Sequence, residues 1–355
     1  MKLVDQLIFR DVIASTALVS VVIIAIEFFL NMIQQFHFVG QHNYTLWRVF
    51  LYVGMQLPAQ FYQLFPMAGF LGTMIGLGRL SSSSQLIVIR MVGYSVMQLT
   101  GSVTKAAVVM IVVITILGEG IGLHWQQTAD VWKKEWIFPQ ANQALLHSIW
   151  LRQGNHFTHI GELNSPDTIS DVTRYYFSKN DRLLRADFSP VGKLVNGRWE
   201  LLNVKQTIFG RHHVTVTTQS KMILPMVFKP VLQVKMRAAS TQQSLTTLIQ
   251  MIRYRRDTGL TTDQFVFALS QRFLQPITTL VMIILAIPFV FGSFRNTTMD
   301  VRLLTGIVIG FIFYMLNQLF GPITMVYQFP PLLSAALPTM LFLLLASVLL
   351  LRVRS

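Results

Sequence analysis

The sequence predicts a membrane protein that has six transmembrane α-helices and an inserted all-β domain. The chain of 355 residues is 52% hydrophobic and only 12% charged, whereas about a quarter of the residues of an ordinary soluble domain are charged. The apolar residues are concentrated in six long runs, and the segment between the third and fourth runs has a different, alternating pattern. These observations place most of the chain in a membrane and one domain outside it.

Each run approaches the length of a transmembrane helix, which needs about 20 mostly apolar residues. The predicted spans cover residues 12–33, 53–77, 99–123, 273–291, 303–326 and 332–351. The first run is longer than the apolar core of a signal peptide and lacks a small-residue cleavage site, so we expect it to remain in the protein. The predicted domains are residues 1–124 with spans one to three, 125–262 with the β domain, and 263–355 with spans four to six.

The distribution of basic residues predicts the orientation, because Lys and Arg in short loops are retained in the cytoplasm. One side of the membrane carries Lys2, Arg10, Arg79, Arg90, Lys105, Arg295, Arg302, Arg352 and Arg354. The short loops of the opposite side carry only Arg48. Both termini are therefore predicted to be cytoplasmic, and the β domain is predicted to lie outside the cytoplasm.

The β domain is predicted from alternating segments such as RYYFSKNDRLLRADFSP, GRWELLNVKQTIFG and HHVTVTTQSKMILP. Apolar or β-branched residues alternate there with polar ones, and Asn-Asp, Pro and Gly mark turns. Residues 175–188 should form a hairpin around Lys179, Asn180 and Asp181. The pattern indicates a small antiparallel sandwich, followed by a helical pattern over residues 240–254.

A short helix is predicted between spans two and three, in the sequence RLSSSSQLIVIRMVGYS at residues 79–95. Serine favours the N-cap of a helix and glycine the C′ position. Ser83 or Ser84 and Gly93 should therefore enclose about ten residues, within the limits 82–93. A helix of this length cannot cross the membrane.

One face of this short helix is predicted to be apolar. Leu86, Ile89 and either Met91 or Val92 fall at helical spacing on the same side. Such a helix could dock onto a soluble partner in the cytoplasm, or it could rest on the lipid interface as a connector. The pattern alone favours neither alternative.

No catalytic or nucleotide-binding motif occurs in the sequence. The phosphate-binding loop GxxxxGK[ST], HExxH and GxSxG are all missing, and there is no cysteine. Energy for active transport would come from a separate ATPase or from an ion gradient. Ion-coupled carriers usually bury several carboxylates in the membrane, but the spans hold only Glu27 and Glu119. We expect each to pair with a base such as Lys133, Lys134 or protonated His37.

The formal net charge of +14 is expected to reflect membrane topology and contact with anionic lipid. Nucleic-acid binding is the weaker interpretation, because no basic arm or interleaved aromatic motif is present. A lipid-modifying enzyme is also disfavoured, since no acid, base and nucleophile cluster at one membrane depth.

Two glycine pairs of the GxxxG type predict close helix packing. They are Gly72 with Gly76 in span two and Gly306 with Gly310 in span five. The pattern suggests packing against a partner, and packing within this chain is the alternative.

Three further glycines lie near the end of span three, at Gly118, Gly120 and Gly122. Each lowers helix stability by about 1 kcal/mol relative to alanine. A hinge, or a break before the β domain, is therefore expected there.

The sequence HWQQTADVWKKEWIF follows that glycine-rich segment. Its tryptophans are typical of the aromatic belt at a membrane surface. Lys133 and Lys134 could serve the same anchoring role, or they could contact the phosphates of an anionic lipid, since an ammonium group binds phosphate as a point charge.

The complete layout resembles the lipopolysaccharide export permeases of the LptF/LptG family. The resemblance rests on LFPMAGFLGTMIGLGRLSSSSQLIVIRMVGYS at residues 64–95, LGEGI at 117–121, and the segment 274–338, which begins LQPITTLVMIILAIPFVFGSFR. It covers nearly the whole chain and is weakest in the β domain.

The resemblance implies a Gram-negative inner-membrane transporter in which LptF and LptG form a pseudo-symmetric pair. Two copies of the cytoplasmic ATPase LptB would drive it, with ATP and Mg²⁺ on that subunit and no cofactor in this chain. LptC would contribute a helix at the gate. Lipopolysaccharide would enter a cavity between the permeases from the outer leaflet and pass to periplasmic β-jellyroll domains.

The resemblance also implies roles for particular residues. The short helix would be the coupling helix that docks into LptB, through Ser84, Gln85, Leu86, Ile87, Arg90 and Met91. Spans one and five would form lateral gates, with Arg302, Gly306, Gly310 and Tyr314 on span five. The expected lipopolysaccharide contacts are Asn31, His37, Lys133 and Lys134.

Two features depart from the family pattern. Gln85 stands where relatives carry a glutamate in the coupling helix, so an ion pair to the ATPase becomes at most a neutral hydrogen bond. Relatives carry lysines near the outer end of span one, where this chain has Asn31, Gln34, Gln35 and His37. At the start of the outer domain, Lys133 matches a basic position, while Asp130 falls where another base is expected.

The alternative function is a membrane-anchored scaffold whose β domain recruits envelope proteins. The glycine-patterned and partly polar spans disfavour it, because a simple anchor needs only one helix.

Overall fold

The computed structural model describes residues 3–137, 146–165, 167–178, 182–195, 198–210, 213–224, 243–257, 260–291 and 299–354. The chain divides into two compact parts by its internal contacts. Met1–Lys133 and Asp263–Ser355 form the helical part, and Lys134–Thr262 form the second part. The described residues include six helices that are long and apolar enough to cross a membrane. The six predicted spans are therefore confirmed as helices.

The first half of the helical part is built from successive helices joined by short turns. In chain order they are α1 (Leu3–Gln35), a 3₁₀ turn (Phe36–Phe38), α2 (Leu46–Ser82), α3 (Gln85–Met91), α4 (Val96–Thr115), a π-helix (Ile116–Gly122) and α5 (Leu123–Ile137). Span three was expected to end near residue 123. It continues as helix to Ile137 because the π-helix carries the chain through its glycines without a break.

The second part contains a six-stranded antiparallel sheet in which each strand pairs with the next along the chain. The strands are β1 (Leu146–Gln153), β2 (His156–Ser165), β3 (Thr168–Phe177), β4 (Leu183–Val195), β5 (Arg198–Phe209) and β6 (Val214–Leu224). The predicted hairpin is confirmed by the pairing of Tyr175 in β3 with Ala186 in β4, although its tip, residues 179–181, lies outside the described residues.

The described strands form one continuous antiparallel sheet, which confirms the predicted antiparallel β domain. Its buried cluster includes Ile160, Val172, Trp199 and Val204. The helix predicted over residues 240–254 is α6 (Leu245–Asp257). The remaining three helices belong to the helical part and are α7 (Asp263–Phe291), α8 (Met299–Tyr327) and α9 (Pro331–Arg354).

Helix α2 is the centre of the helical part. In its most apolar stretch 72% of the residues are buried, against 28% in the first span and 17% in the fifth. The core around it includes Phe70, Leu77, Val103 and Ile287. Spans one and five therefore leave most of their apolar surface uncovered by this chain.

Both GxxxG pairs pack against helices of the same chain. A Cβ atom on Gly72 would lie 2.3 Å from the Cα atom of Thr16 in α1. A Cβ atom on Gly306 would lie 2.2 Å from Cε of Met74 in α2, and one on Gly310 would lie 2.9 Å from Cγ of Met67. The suggestion that these glycines face a partner is therefore wrong, because α2 already covers the glycine face of α8.

Candidate functional site

The segment between α2 and α4 is the most distinctive feature of the helical part, and its serines complete the end of α2. The hydroxyls of Ser82 and Ser83 both donate to the backbone oxygen of Arg79, each at 3.0 Å. The backbone N–H of Ser83 donates to the same oxygen at 3.1 Å. The Arg79 carbonyl therefore accepts a helical i+4 bond from Ser83 and is also bonded by two serine hydroxyls at the end of α2.

Ser84 makes the turn from α2 into α3. Its φ angle is +60°, in the left-handed region, and its side chain makes no capping hydrogen bond. The predicted start of the short helix is confirmed at Ser84, which occupies the N-cap position and accepts hydrogen bonds from the N–H groups of Ile87 and Val88 through its backbone oxygen. The expected cap by its hydroxyl is not formed, and Ser83 bonds to α2 instead.

The C-terminal end of α3 is closed by glycine as predicted. Gly93 has a φ angle of +88°, which glycine adopts without steric cost. Its N–H donates to the oxygen of Arg90 at 3.0 Å, and the N–H of Tyr94 donates to the oxygen of Ile89 at 3.3 Å. This pair of bonds is a Schellman motif, and it limits α3 to seven residues.

The two faces of α3 have different surroundings. Leu86 and Ile89 are buried and rest on the helical part. The exposed apolar side chains of this segment, here called the α3 apolar face, are Ile87 at 39%, Val88 at 57%, Met91 at 78% and Val92 at 84% exposure. The sequence placed Met91 or Val92 on the same face as Leu86, and this was wrong. Four neighbouring exposed apolar residues are typical of a contact surface.

A cavity of about 340 Å³ lies beside α3. It is lined by Ser81, Leu86, Ile87, Arg90, Met91, Val290 and Phe291. The guanidinium carbon of Arg90 lies 5.9 Å from the ring centre of Phe291, the last residue of α7. Gln85 is exposed at the start of the helix. Four of the six candidate docking residues therefore line one groove between α3 and the end of α7, namely Leu86, Ile87, Arg90 and Met91, and Ser84 and Gln85 precede it in the chain.

A chain of amide side chains crosses the opposite end of α1, α2 and α5. Asn31 donates to Gln60 at 3.0 Å, Gln60 to Gln56 at 3.2 Å, and Gln56 to Asp130 at 3.2 Å. The hydroxyl of Tyr52 also donates to Asp130, at 3.1 Å. The carboxylate of Asp130 therefore accepts the last hydrogen bonds of this chain of polar side chains. It lies at the position where the family pattern suggested a base.

Lys133 lies beside this polar chain. Its ammonium nitrogen is 2.6 Å from the amide oxygen of Gln35, 4.4 Å from the ring centre of Phe38 and 4.8 Å from that of Tyr52. His37 is exposed next to Phe38, with 3.7 Å between ring centres. Three of the four expected lipid contacts, Asn31, His37 and Lys133, thus lie at one end of the helical part, whereas the side chain of Lys134 is not described.

The two acidic residues of the spans have partners other than those expected. Glu119 forms an ion pair with Arg272 in α7, at 2.8 Å, and Glu27 accepts a hydrogen bond from Asn31 at 3.1 Å. The expectation of a basic partner is therefore confirmed for Glu119, although the base is Arg272 rather than one of those named. Glu27 has an amide partner in Asn31, and a pairing with Lys134 lies outside the described side chains. Arg272 was missed because it immediately precedes the apolar run 273–291.

On α8, Tyr314 accepts a hydrogen bond from Gln318 at 3.1 Å, while Gly306 and Gly310 face α2. The side chain of Arg302 is outside the described part. The exposed apolar side chains of this helix include Leu304, Ile307, Val308, Phe311, Ile312 and Met315. Any partner of span five would meet these residues rather than the glycines.

Comparison with known proteins shows what the whole chain is similar to. Residues 6–352 match the family described as "Lipopolysaccharide export system permease LptF/LptG". The chain is 25% identical over 340 residues to the lipopolysaccharide export system permease protein LptG of Haemophilus influenzae, with 95% of each chain covered. It is 26% identical over 361 residues to the protein of the same name from Escherichia coli strain K12, with 98% of each chain covered.

Proposed function

Because this chain belongs to the LptF/LptG family of lipopolysaccharide export system permeases, we propose that it is the LptG-type subunit of an ATP-driven lipopolysaccharide exporter. The relatives named LptG match it over almost their full length. The chain is a multi-pass inner-membrane protein of this export system. Its proposed task is to take lipopolysaccharide from the outer leaflet and pass it to a periplasmic bridge toward the outer membrane.

The observation that carries this proposal is the α3 apolar face. Ile87, Val88, Met91 and Val92 are exposed, while Leu86 on the opposite side is anchored in the core. Burial of such residues in a complementary groove removes apolar surface from water, which favours association. We assign this face to the ATPase subunit LptB, with Gln85 and Arg90 at its edge.

In this proposal the chain itself makes and breaks no bond. ATP and Mg²⁺ are held by the LptB dimer, and its closure would push on α3. The polar residues beside the α3 apolar face, Ser84, Gln85 and Arg90, would supply neutral or cationic contacts. A family glutamate is replaced by Gln85, so apolar contacts dominate the docking.

Spans one and five are the proposed contact surfaces for LptF and LptC. They are the least buried of the six candidate spans among the described residues, at 28% and 17%, and two exposed apolar helices fit a partner that completes a cavity. The gate surface of α8 is assigned to its exposed side around Phe311 and Tyr314, since α2 occupies the glycine side.

The proposed orientation has both termini and α3 in the cytoplasm and the β domain in the periplasm. Lys133, and with it Lys134, would then stand at the outer surface, where lipid A phosphates are found. Lipopolysaccharide would pass from there to the β domain.

The test is to purify the tagged complex from native membranes and to measure bound ATPase subunit and bound lipopolysaccharide. Ile87→Asp and Met91→Asp place a charge in the α3 apolar face and should remove the ATPase subunit from the complex. Gln98→Glu is the matched control, because it adds a negative charge nearby, where glutamate can still accept from the N–H of Ser95 as Gln98 does. An ATPase that remains bound to both aspartate variants would contradict the docking role.

A further inference from the structure

Span one contacts the segment that leads into α3. The carboxylate of Asp11 in α1 lies 3.3 Å from the guanidinium of Arg79, in the last turn of α2. The backbone oxygen of the same arginine holds Ser82 and Ser83. Arg79 therefore connects the start of the α3 segment to α1 through its side chain and to the serine turn through its backbone.

Span one also contacts the segment that leaves α3. The carboxylate of Asp5 accepts hydrogen bonds from the hydroxyl of Tyr94 and from Ser102, the latter at 2.5 Å. Lys105 contacts its other oxygen at 3.1 Å. Tyr94 is the residue whose N–H completes the Schellman motif of α3, so the end of that helix is bonded directly to α1.

Apolar residues near the two aspartates belong to the core that also holds α3. Ile8 and Val12 of α1 belong to the same buried cluster as Leu86 of α3. Asp5 and Asp11 are 7% and 8% exposed, and a buried carboxylate is tolerated only when it is paired and hydrogen-bonded. The two carboxylates are six residues apart, roughly 9 Å along the helix axis, and Ile8 lies between them in the chain.

We propose that Asp5 and Asp11 clamp the coupling helix to span one, so that displacement of α3 by the ATPase moves the first half of α1 as one body. This proposal rests on the proposed function, because it takes α3 as the docking helix. Both aspartates are positioning residues, since they act through Arg79 and Tyr94 rather than on the transported lipid. The least buried spans are one and five, and of these α1 receives the motion directly.

The physical basis is that polar contacts of buried carboxylates are short-ranged and directional. A purely apolar contact can slide, as side chains exchange neighbours at little cost. Two charged contacts on either side of α3 prevent that sliding, and they transmit both a push and a pull. Without them α3 would still fold through its Schellman motif and would still present Ile87 and Met91.

The experiment uses the complete export complex in liposomes that contain lipopolysaccharide, with ATP added. Two rates are measured for each variant, the rate of ATP hydrolysis and the rate of lipopolysaccharide release to the purified acceptor protein. The variants are Asp5→Asn, Asp11→Asn, Arg79→Gln and Tyr94→Phe. Arg10→Gln is the matched control for Arg79→Gln. Arg10 is exposed, as Arg79 is, and it lies at the same end of α1 as the two aspartates.

The clamp predicts that the variants assemble and hydrolyse ATP. The amount of lipopolysaccharide released per ATP should fall by roughly fivefold or more, because about fivefold is the lower end of ordinary coupling between two sites. The double variant with Asp11→Asn and Arg79→Gln should release as much lipopolysaccharide per ATP as either single variant, because both changes remove the same contact. Arg10→Gln should keep the normal ratio. A merely structural role would lower assembly and both rates together and leave the ratio unchanged.

The outcomes separate this proposal from the docking role. If Ile87→Asp removes the ATPase but every clamp variant that assembles keeps the normal ratio, the clamp is wrong and docking stands. If Ile87→Asp leaves the ATPase bound, the docking role is wrong. Arg79 is 62% exposed, so Arg79→Gln is expected to fold even if an aspartate variant does not, and its ratio alone can overturn the clamp.

Discussion

Arg272 at the beginning of the apolar part of α7 and Glu119 in the π-helix form an ion pair at 2.8 Å, although they are 153 positions apart in the chain. Only 11% of the arginine side chain and 20% of the glutamate side chain are exposed. The pair joins the third span to the fourth at a position where neither charge meets much solvent.

Removing one member of this pair should destabilise the protein strongly. Glu119→Gln or Arg272→Gln leaves a largely buried charge without its counter-charge, which costs about 3 kcal/mol or more. The double variant should lose less than the sum of the single losses. Unfolding of the purified protein in detergent measures this, with Arg10→Gln as the exposed control. Single variants no less stable than that control would show that the pair contributes nothing.

The glycines of the π-helix should differ sharply in their tolerance of alanine. A Cβ atom on Gly118 would lie 2.4 Å from the Cβ atom of Tyr62, close to the α2 backbone, whereas nothing lies within 4 Å of a Cβ atom on Gly120. Gly118→Ala should cost about 1–3 kcal/mol through overpacking. Gly120→Ala should be neutral or stabilising by up to about 1 kcal/mol. Thermal unfolding of the two variants compares them directly, and equal melting temperatures would contradict the close approach.

The two left-handed residues that flank α3 should respond in opposite directions. Gly93→Ala places a side chain at φ +88° and should cost about 1–2 kcal/mol, whereas Ser84→Gly relieves the same kind of strain at φ +60°. Amide hydrogen exchange over residues 86–92 should therefore rise about tenfold in Gly93→Ala and stay the same or fall in Ser84→Gly. Binding of the ATPase subunit should weaken only in the alanine variant.

These comparisons also show which features a sequence can predict. The six spans were predictable because a helix that crosses a bilayer must be apolar over about 20 residues. The end of α3 at Gly93 was predictable because a left-handed residue favours glycine. Both signals depend on local chemistry alone.

The residues that sequence reasoning missed depend on tertiary contacts. Asp5, Asp11 and Arg272 lie just outside the apolar runs, so a search within the spans does not reach them. Ser84 is of a residue type that favours the N-cap, but its role depends on the hydrogen bonds that Ser82 and Ser83 donate to the backbone of α2. A periodic pattern also cannot tell which helix covers Gly306, since a glycine face fits any close neighbour.

His156 should make the β domain less stable in acid. Burial, together with the charges of Arg174 and Arg185, lowers the pKa of its imidazole, so the folded state binds a proton less readily than the unfolded chain. The stability is present above the unfolded pKa of about 6.5 and is lost as the pH falls toward the lower folded value.

Hydrogen-exchange protection of β2 and β3 in the complete complex, corrected for intrinsic rates, should therefore be lower at pH 5.5 than at pH 7.5. His156→Gln should reduce this difference. His159→Gln is the control, because it removes another histidine of the same strand. His159 packs against Trp150 in β1, with 4.6 Å between the ring centres. The His159→Gln variant should keep the pH dependence. A difference that persists unchanged in His156→Gln would assign the effect to another group.

Lys133 should contribute to lipopolysaccharide binding through the ammonium N–H groups that are not hydrogen-bonded to Gln35. An ammonium group has three donors, and the 2.6 Å contact with Gln35 occupies one of them. The rings of Phe38 and Tyr52 hold the charge in place, so a phosphate can bind with little loss of side-chain entropy.

Lys133→Met should therefore lower the amount of lipopolysaccharide that co-purifies with the complex, and Lys133→Arg should retain more of it. Arg48→Met removes a positive charge from the first turn of α2 and should have little effect. An equal loss in Lys133→Met and Arg48→Met would indicate general attraction by charge rather than a contact of Lys133.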